Sequence, residues 1–324
     1  MSLMTYGEAI RDGLRQAMRR DERVYLLGED VAEYGGVYGI TKGLVQEFGK
    51  KRVKNTPLSE AAIIGEAIGS AIAGLRPVAE IQFSDFMTTA FTTLVDVAAP
   101  YRFRVGTPVP MVVRAPSGGG LRIGNYHSKC TEAWYFHVPG LKVVVPSSPS
   151  DAKGLLIQSI EDEDPVLFME HKRLYYEVKE EVPEGWYQFP LGKAVVRREG
   201  QHISVITYGG MVSLALKVAE KLAVEGIELE VVDLRTLVPL DEETMLASFK
   251  KTNRVIILHE AVRRGGVGAE LESLICEKAF DSLQAPPVRI GAKETPVPVS
   301  PILEDAYLPS EQEVIEAARR LVQY

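Results

Sequence analysis

Apolar strand-like runs alternate with helical stretches along the first half of the chain, and this order restricts the possible folds more than any other feature. Short apolar runs occur at residues 24–27, 78–83, 109–114, 142–145 and 166–170. Residues with apolar side chains at helical spacing occur at 6–20, 60–75, 88–103 and 150–161. This alternation predicts a mostly parallel sheet with helices on both faces, which is the α/β fold class.

The same pattern starts again in the second half. Strand-like runs occur at 203–208, 229–234, 255–259 and 288–290, with a helical stretch at 212–225. Between the halves, the segment 180–189 contains Pro183 and Gly185 and has no clear period, which is typical of a linker. A chain of 324 residues is also about twice the usual size of one domain. We therefore predict two α/β domains, at 1–185 and 190–324, of which the second is the smaller.

Charge and cysteine content exclude several classes of protein. The formal charge is −7 and both signs are mixed along the chain, so no basic patch indicates a nucleic-acid or membrane partner. The two cysteines, Cys130 and Cys276, cannot form a disulfide framework and suit a reducing compartment. The apolar stretch 61–75 is interrupted by Glu66 and is too short to cross a bilayer. The first residues lack the order of a signal peptide, so the expected location is the cytoplasm.

The predicted helix at 60–75 carries two stripes. The apolar stripe consists of Ile64, Ile68 and Ile72. The other stripe has a small residue at every fourth position: Ala61, Gly65, Gly69 and Ala73. A glycine costs an exposed helix about 1 kcal/mol relative to alanine, so two on one face indicate close approach by another element. That element is either a helix of the same domain or a second subunit. Ser59 is the predicted N-cap.

Two residues are candidates for chemistry. Glu60 lies in the first turn of this helix, where a carboxylate stabilises the helix dipole, but its apolar surroundings would also suit a proton donor or acceptor. His127 follows a glycine-rich loop at 118–124, the kind of segment that carries functional side chains. None of the five histidines stands at metal-ligand spacing from a cysteine. The run 263–268 is read as a loop and helix cap, with anion binding as the alternative.

Seven short motifs give the chain a family resemblance. In order along the chain they are 27–31 (LGEDV), 55–60 (NTPLSE), 79–86 (AEIQFSDF), 126–128 (YHS), 139–144 (PGLKVV), 151–155 (DAKGL) and 232–236 (VDLRT). With these motifs the chain resembles the β subunits of thiamine-diphosphate-dependent 2-oxoacid dehydrogenases over nearly its whole length. The resemblance implies a pyrimidine-binding domain followed by a transketolase-like C-terminal domain.

The resemblance also implies partners and a reaction. Such β subunits form α2β2 heterotetramers whose active sites lie between α and β, and the α subunit carries the Gly-Asp-Gly motif that binds Mg²⁺ and the diphosphate. The implied reaction is decarboxylation of a 2-oxoacid on thiamine diphosphate, then acyl transfer to lipoyl on a dihydrolipoyl acyltransferase core. Pyruvate is the first expectation for the substrate, with branched-chain 2-oxoacids and acetoin as alternatives. The rival classes are a non-catalytic assembly subunit and a transketolase acting on sugar phosphates.

Three residues are implied to bind the cofactor's aminopyrimidine ring. Glu60 matches the glutamate that hydrogen-bonds a ring nitrogen, Phe86 matches the aromatic residue packed on the ring, and Leu58 matches a position whose backbone contacts it. Glu29 is implied to lie beside the cofactor, in an acidic passage that joins the two active sites. His127 matches a catalytic histidine that orients substrate or assists acyl transfer.

A possible potassium loop and one departure from the family complete the comparison. Ser159, Ile160, Asp162 and Asp164 resemble a loop that holds K⁺ in several relatives, mainly through backbone carbonyls. A solvated acidic loop is the alternative.

Many relatives have glutamine after His-Ser, whereas this chain has Lys129, which either favours an anionic substrate or points into solvent. The C-terminal residues 302–324 are the implied docking region for the acyltransferase.

Overall fold

The structure is a computed structural model that describes residues 1–324. The strands are β1 (Ser2–Thr5), β2 (Val24–Gly28), β3 (Val53–Asn55), β4 (Arg76–Glu80), β5 (Val112–Ser117), β6 (Lys142–Val144), β7 (Val166–His171), β8 (Lys179–Val182), β9 (Val195–Arg198), β10 (Ile203–Thr207), β11 (Leu229–Asp233), β12 (Thr236–Val238), β13 (Val255–Val262) and β14 (Val288–Ala292). The α-helices are α1 (Tyr6–Arg20), α2 (Leu44–Phe48), α3 (Glu60–Ile72), α4 (Ala99–Val105), α5 (Glu132–Phe136), α6 (Pro149–Glu161), α7 (Leu174–Glu177), α8 (Met211–Ala223), α9 (Glu242–Thr252), α10 (Val267–Ala279), α11 (Pro301–Tyr307) and α12 (Glu311–Leu321).

The chain divides into two compact units. The first consists of Met1–Ser117 and Trp134–Leu191, and the second of Gly118–Ala133 and Gly192–Tyr324. The segment 118–133, which carries His127, therefore belongs to the second unit although it lies within the first half of the sequence.

The first unit is built on six parallel strands in the order β6-β7-β5-β4-β2-β3. Val24 and Leu26 of β2 point into a core that also contains residues of α1 and α6. Tyr25, between them, points the other way, and its hydroxyl lies 2.8 Å from that of Ser70 on α3. Because successive strand residues face opposite sides, helices cover both faces of this sheet, which confirms the predicted α/β class.

Helix α1 shows how local sequence sets these boundaries. Thr5 accepts a hydrogen bond from the backbone N–H of Glu8, and the Glu8 carboxylate accepts one from Thr5 N–H, so the two residues form a capping box. The observed bounds are those that the sequence predicts. At 15 residues this is the longest helix. No helix in the chain has both the length and the hydropathy to cross a bilayer.

Three details of the first unit differ from the sequence-based predictions. The predicted helix at 88–103 is a 3₁₀ helix (Ser84–Ala90), a π-helix (Thr93–Ala98) and then α4. Pro100 has no N–H to donate, so a regular α-helical ladder cannot run through it. The predicted linker begins with strand β8, which pairs antiparallel with β1. Ser59 occupies the N-cap position, but its side chain makes no capping hydrogen bond.

The second unit has a five-stranded sheet in the order β14-β13-β10-β11-β9, in which only β9 is antiparallel to its neighbour. Val205 of β10 packs in a core with α8 and α12. Ser204 faces the opposite side, where its hydroxyl lies 2.7 Å from that of Ser248 on α9. This sheet is therefore also covered on both faces, in agreement with the α/β class predicted for the second half of the chain.

Candidate active site

The first unit places its candidate residues after the carboxyl ends of parallel strands, where open α/β sheets bind their ligands. Glu29 directly follows β2, and Phe86 lies in the 3₁₀ helix that follows β4. Glu60 is the first residue of α3, in the segment that leaves β3. Three sequence-predicted residues thus lie after three neighbouring strands of one sheet.

Glu60 is a buried carboxylate with a hydroxyl beside it. Its side chain is 8% exposed, and the Thr89 hydroxyl lies 3.1 Å from its Oε2 atom. The same hydroxyl lies 2.8 Å from the carbonyl oxygen of Phe86. Thr89 therefore joins Glu60 to the helical turn that carries Phe86. Sequence analysis could not identify Thr89, because a threonine in an amphipathic stretch has no distinctive spacing.

The Glu60 carboxylate lies close enough to Glu29 to affect the pKa of Glu29. Burial raises the pKa of Glu29, and the neighbouring Glu60 and Asp30 carboxylates raise it further. Asp30 has a left-handed backbone (φ 56°), which turns the chain sharply after Glu29. A carboxyl group whose pKa is raised by burial and by neighbouring carboxylates is typical of sites that move protons.

Phe86 belongs to a cluster of aromatic rings. The rings of Phe86 and Phe83 meet edge to face at 5.5 Å, and Phe83 meets Tyr38 in the same way at 6.1 Å. Phe86 is half-buried, so one part of its ring is open to a ligand. Leu58 is 78% exposed, which leaves its backbone and side chain accessible to a ligand or a partner chain.

A buried ionic network supports this end of the sheet. Arg114 on β5 donates two hydrogen bonds to Glu170 on β7, at 2.6 and 2.7 Å, and another to Glu80 on β4. Tyr175 donates to Glu170 at 2.5 Å. Burial raises the pKa of Glu80, although Arg114 opposes this. The sequence analysis missed this network. The signal was a charged residue inside each of three apolar parallel strands, where charges are rare unless paired.

His127 lies in the second unit, on the segment 118–133. Its side chain is half-buried, and its backbone N–H donates to the carbonyl of Gly124 at 3.2 Å. Lys129, two residues later, folds back onto its own segment. Its ammonium group donates to the carbonyl of Asn125 and lies 5.8 Å from the centre of the Tyr126 ring. The ammonium group of Lys129 therefore contacts its own segment, and both roles that the sequence left open for it stay predictions.

The loop 159–164 presents carbonyl oxygens and already-paired carboxylates. Asp162 accepts two hydrogen bonds from Lys142 at 2.7 Å, and Asp164 accepts one from Arg102 at 3.0 Å. The carbonyls of Ile160 and Asp162 both accept from Nη1 of Arg76 at 3.0 Å. The Ser159 hydroxyl donates to the carbonyl of Leu155 at 2.7 Å. No group of three or more His, Cys, Asp or Glu side chains is arranged as a metal site.

Glu132, in the second unit, makes stability depend on pH. It is buried and accepts a hydrogen bond from the Tyr208 hydroxyl at 2.8 Å. Burial raises the pKa of Glu132 to about 7, and the Glu260 carboxylate adds to this. The folded protein therefore binds a proton that the unfolded chain releases near its ordinary pKa. Protonated Glu132 therefore adds to the free energy of unfolding at pH 4 to 5, and this contribution is lost as the pH rises through 7.

We expect Glu132→Gln to remove this pH dependence. Glutamine cannot ionise and still accepts from Tyr208, so at pH 8 the variant should be more stable by about 3 kcal/mol, with little difference at pH 5. Urea unfolding at the two pH values measures the effect. Glu243→Gln, at an exposed position, is the control. This account would be contradicted if Glu132→Gln and the original protein had the same free energy of unfolding at pH 8 as well as at pH 5.

Two family models cover the chain. The transketolase pyrimidine-binding domain matches residues 2–177, and the transketolase C-terminal domain matches residues 192–314.

Three relatives of similar identity have names that point to three substrates. The acetoin:2,6-dichlorophenolindophenol oxidoreductase subunit beta of Bacillus subtilis is 45% identical over 334 residues, covering 99% of this chain and 97% of its own. The 2-oxoisovalerate dehydrogenase subunit beta of the same organism is 45% identical over 327 residues, covering 100% of both chains. The pyruvate dehydrogenase E1 component subunit beta of Staphylococcus epidermidis is 44% identical over 326 residues, also covering 100% of both.

A solved structure shares the fold. A chain described as "split gene transketolase, inactive beta4 tetramer" superposes with a TM-score of 0.80, covering 99% of this chain and 98% of that chain, at 22% identity. At that identity the likeness concerns the fold alone.

Proposed function

This chain belongs to the family of β subunits of thiamine-diphosphate-dependent 2-oxoacid dehydrogenases, and we propose that it acts with an α subunit to decarboxylate a 2-oxoacid and pass the acyl group to lipoyl. The observation that carries this proposal is the buried Glu60 carboxylate, joined through Thr89 to the turn that bears Phe86. A subunit without catalytic work has no physical need for an ionisable group held in that way.

The residues present fit the aminopyrimidine part of thiamine diphosphate. A buried carboxyl suits a ring nitrogen that must be protonated, and the accessible edge of a phenylalanine suits a flat heteroaromatic ring. When bound, the cofactor supplies an electron sink for cleavage of the carbon–carbon bond. Glu60 would hold a proton against the ring nitrogen, which would make the exocyclic amino group more acidic and allow it to release a proton. Phe86 and the backbone of Leu58 would fix the ring, and Glu29 would lie beside the cofactor in the acidic passage that joins the two active sites.

His127 would act on the substrate side of the reaction. We propose that it orients the 2-oxoacid or transfers a proton during acyl transfer to lipoyl. Histidine is a common proton-transfer and substrate-orienting residue in enzymes, and the segment 118–133 presents His127 on a half-buried loop.

Pyruvate is the substrate we propose, with branched-chain 2-oxoacids and acetoin as alternatives. The sequence around 128–141 supports a small substrate by resemblance. Identities of 45, 45 and 44% to relatives named for acetoin, 2-oxoisovalerate and pyruvate do not separate the three. One methylene group in a pocket changes binding by only about 1–3 kcal/mol, and we propose that the α subunit completes that pocket.

The exposed face of α3 supports an α-subunit partner. Ala61, Gly65, Gly69 and Ala73 are all exposed, and nothing lies within 4 Å of a Cβ atom built on either glycine. The small-residue stripe is therefore not packed within the unit. We propose that the α subunit covers it in an α2β2 heterotetramer.

The remaining assignments follow from the same family. We propose 1–185 as the pyrimidine-binding domain and 190–324 as the transketolase-like C-terminal domain. The C-terminal residues 302–324 would dock the dihydrolipoyl acyltransferase core. Neither cysteine forms a disulfide, which supports the cytoplasm as the location.

We propose that Mg²⁺ is held by the α subunit and K⁺ by the loop 159–164. The Asp162 and Asp164 carboxylates already accept from cationic side chains. Carbonyl oxygens at the carboxyl end of α6 are the remaining donors. A carbonyl oxygen has two lone pairs, so those of Ile160 and Asp162 can bind a cation while accepting from Arg76.

We expect K⁺ to stabilise the folded protein. At ten- to hundredfold excess over its dissociation constant, a bound ion adds about 1–3 kcal/mol to the free energy of unfolding. Urea unfolding in KCl and in NaCl at equal ionic strength measures the difference. Superimposable curves in the two salts would favour a solvated acidic loop over a potassium site.

The test of function is reconstitution with the α subunit from the native host. The α subunit would be identified by stoichiometric co-purification, and turnover measured with thiamine diphosphate, Mg²⁺ and an artificial electron acceptor. We expect cofactor-dependent turnover of one substrate among pyruvate, branched-chain 2-oxoacids and acetoin. A lone homo-oligomer without such turnover would favour the assembly-subunit alternative.

A further inference from the structure

The backbone ahead of His127 has an alternating conformation. Gly118, Gly120, Arg122 and Gly124 have left-handed φ angles of 90°, 87°, 63° and 74°, and the residues between them do not. Such alternation turns successive backbone N–H groups toward one side and creates a concave site for an anion. For Arg122, a residue with a Cβ atom, the left-handed conformation is unfavourable and must be held by its surroundings.

Two carboxylates of the second unit fill this concave site. Glu260 accepts the N–H of Gly119 at 2.6 Å. Glu304 accepts the N–H of Gly120 at 2.8 Å with one oxygen and the N–H of Arg122 at 3.0 Å with the other. Glu304 is fully buried, so its charge is stabilised by these donors and by the Arg122 guanidinium at 3.1 Å. A Cβ atom on Gly119 would lie 3.1 Å from Glu304, which explains the glycine there.

Both carboxylates come from regular elements of the second unit. Glu260 lies on β13, the neighbour of the central strand of its sheet, and Glu304 lies on α11. The segment is also held after His127, because the Cys130 thiol lies 3.6 Å from Glu260 and the carbonyl of Lys129 accepts from Gly118 at 3.1 Å. The loop that carries His127 is therefore fixed on both sides of the histidine.

We propose that Glu260 and Glu304 are positioning residues for His127. Their charges hold the N–H groups of Gly119, Gly120 and Arg122 and keep the histidine loop in one conformation. This inference rests on the proposed catalytic role of His127. The C-terminal domain thereby contributes to catalysis although it supplies none of the residues proposed to bind the aminopyrimidine.

The test is Glu304→Gln in the enzyme reconstituted with its α subunit. The amide places a donor opposite the N–H of Arg122, so amide hydrogen exchange across 118–128 should be about tenfold faster. The inference takes the second of the two roles proposed for His127, proton transfer during acyl transfer to lipoyl. Acyl transfer to lipoyl should therefore fall by about tenfold or more relative to turnover with the artificial acceptor, because the artificial acceptor bypasses the acyl-transfer step. General destabilisation would lower both activities together and would not change their ratio.

Glu294→Gln is the control, because it lies in the same unit but outside the proposed docking region. Glu294 is exposed and pairs with Arg264 at 3.3 Å, and it accepts no backbone N–H of the loop. We expect original exchange rates and the original activity ratio for this variant. Glu260→Gln is the second variant, in case Glu304→Gln does not fold. It removes the acceptor of the Gly119 N–H, so it should also give faster exchange of the loop and a lower activity ratio.

The outcomes separate the inference from the function on which it rests. Unchanged exchange across 118–128 in both Glu260→Gln and Glu304→Gln would overturn the positioning role. A normal lipoyl-transfer rate in His127→Asn would instead refute the role of the histidine, whatever the exchange data show. Faster exchange with an unchanged activity ratio would mean that loop order does not serve catalysis, and would also overturn the inference.

Discussion

Glu60→Gln should lower turnover of the reconstituted enzyme by about a thousandfold, within the range observed when a proton-transfer group is removed. The glutamine fills the same space and can still meet the Thr89 hydroxyl 3.1 Å from Glu60, so folding should be preserved. It cannot hold the proton that the aminopyrimidine ring requires. The measurement is kcat with thiamine diphosphate and an artificial electron acceptor, together with the unfolding temperature of the complex.

The matched control for this change is Glu66→Gln. Glu66 lies on the same helix, but it is more exposed and pairs with Lys54 at 2.7 Å on the surface. Its loss should cost at most about 1 kcal/mol of stability and leave kcat unchanged. A Glu60→Gln enzyme with activity near that of Glu66→Gln would remove Glu60 from the mechanism.

Gly65→Leu combined with Gly69→Leu should prevent assembly with the α subunit while stabilising the isolated chain. Both glycines are helical and open to solvent, so each leucine adds about 0.5–1 kcal/mol of helix propensity. In the assembled enzyme the same side chains would overfill a close helix contact, at a cost of about 1–3 kcal/mol each. The double variant should therefore bind the α subunit about a hundredfold more weakly or worse.

Analytical ultracentrifugation of the mixed subunits measures this loss, and thermal unfolding of the isolated chain measures the gain. Ala247→Leu, at an exposed position on α9 of the second unit, is the control and should assemble normally. Normal assembly of the double variant would show that the small-residue face of α3 is not the α-subunit contact.

The sequence was sufficient for the fold class because the periodic pattern is strong. Helix α1 was predicted with its observed bounds from its amphipathic pattern alone, and the structure adds a capping box that ends the pattern at Thr5. The region 84–105 was not, because Pro100 interrupts the α-helical ladder and periodicity alone does not distinguish α from 3₁₀ or π geometry. Boundaries elsewhere differ by only a few residues, as at β4 and β5.

The candidate site was predictable only where single residues stand in recognisable motifs. Glu60 and His127 could be selected in this way, and their catalytic roles stay predictions. Thr89 could not be found, because its importance lies in a contact across 29 residues. Glu260 and Glu304 approach the histidine loop from positions more than a hundred residues later. Such pairings depend on the tertiary fold, and no local pattern encodes them.

The Arg114 network has a consequence for how this sequence can change over evolutionary time. Replacing Arg114 alone would leave the Glu80 and Glu170 carboxylates buried without a cationic partner. Replacing either glutamate alone would leave the buried guanidinium with one carboxylate fewer. Removing one partner of a buried pair costs about 3–5 kcal/mol, whereas exchanging the whole set for apolar residues can be neutral. The three positions are therefore epistatic, and a lineage that loses one must change the others almost simultaneously. This ionic network should thus be inherited, or replaced, as a single unit.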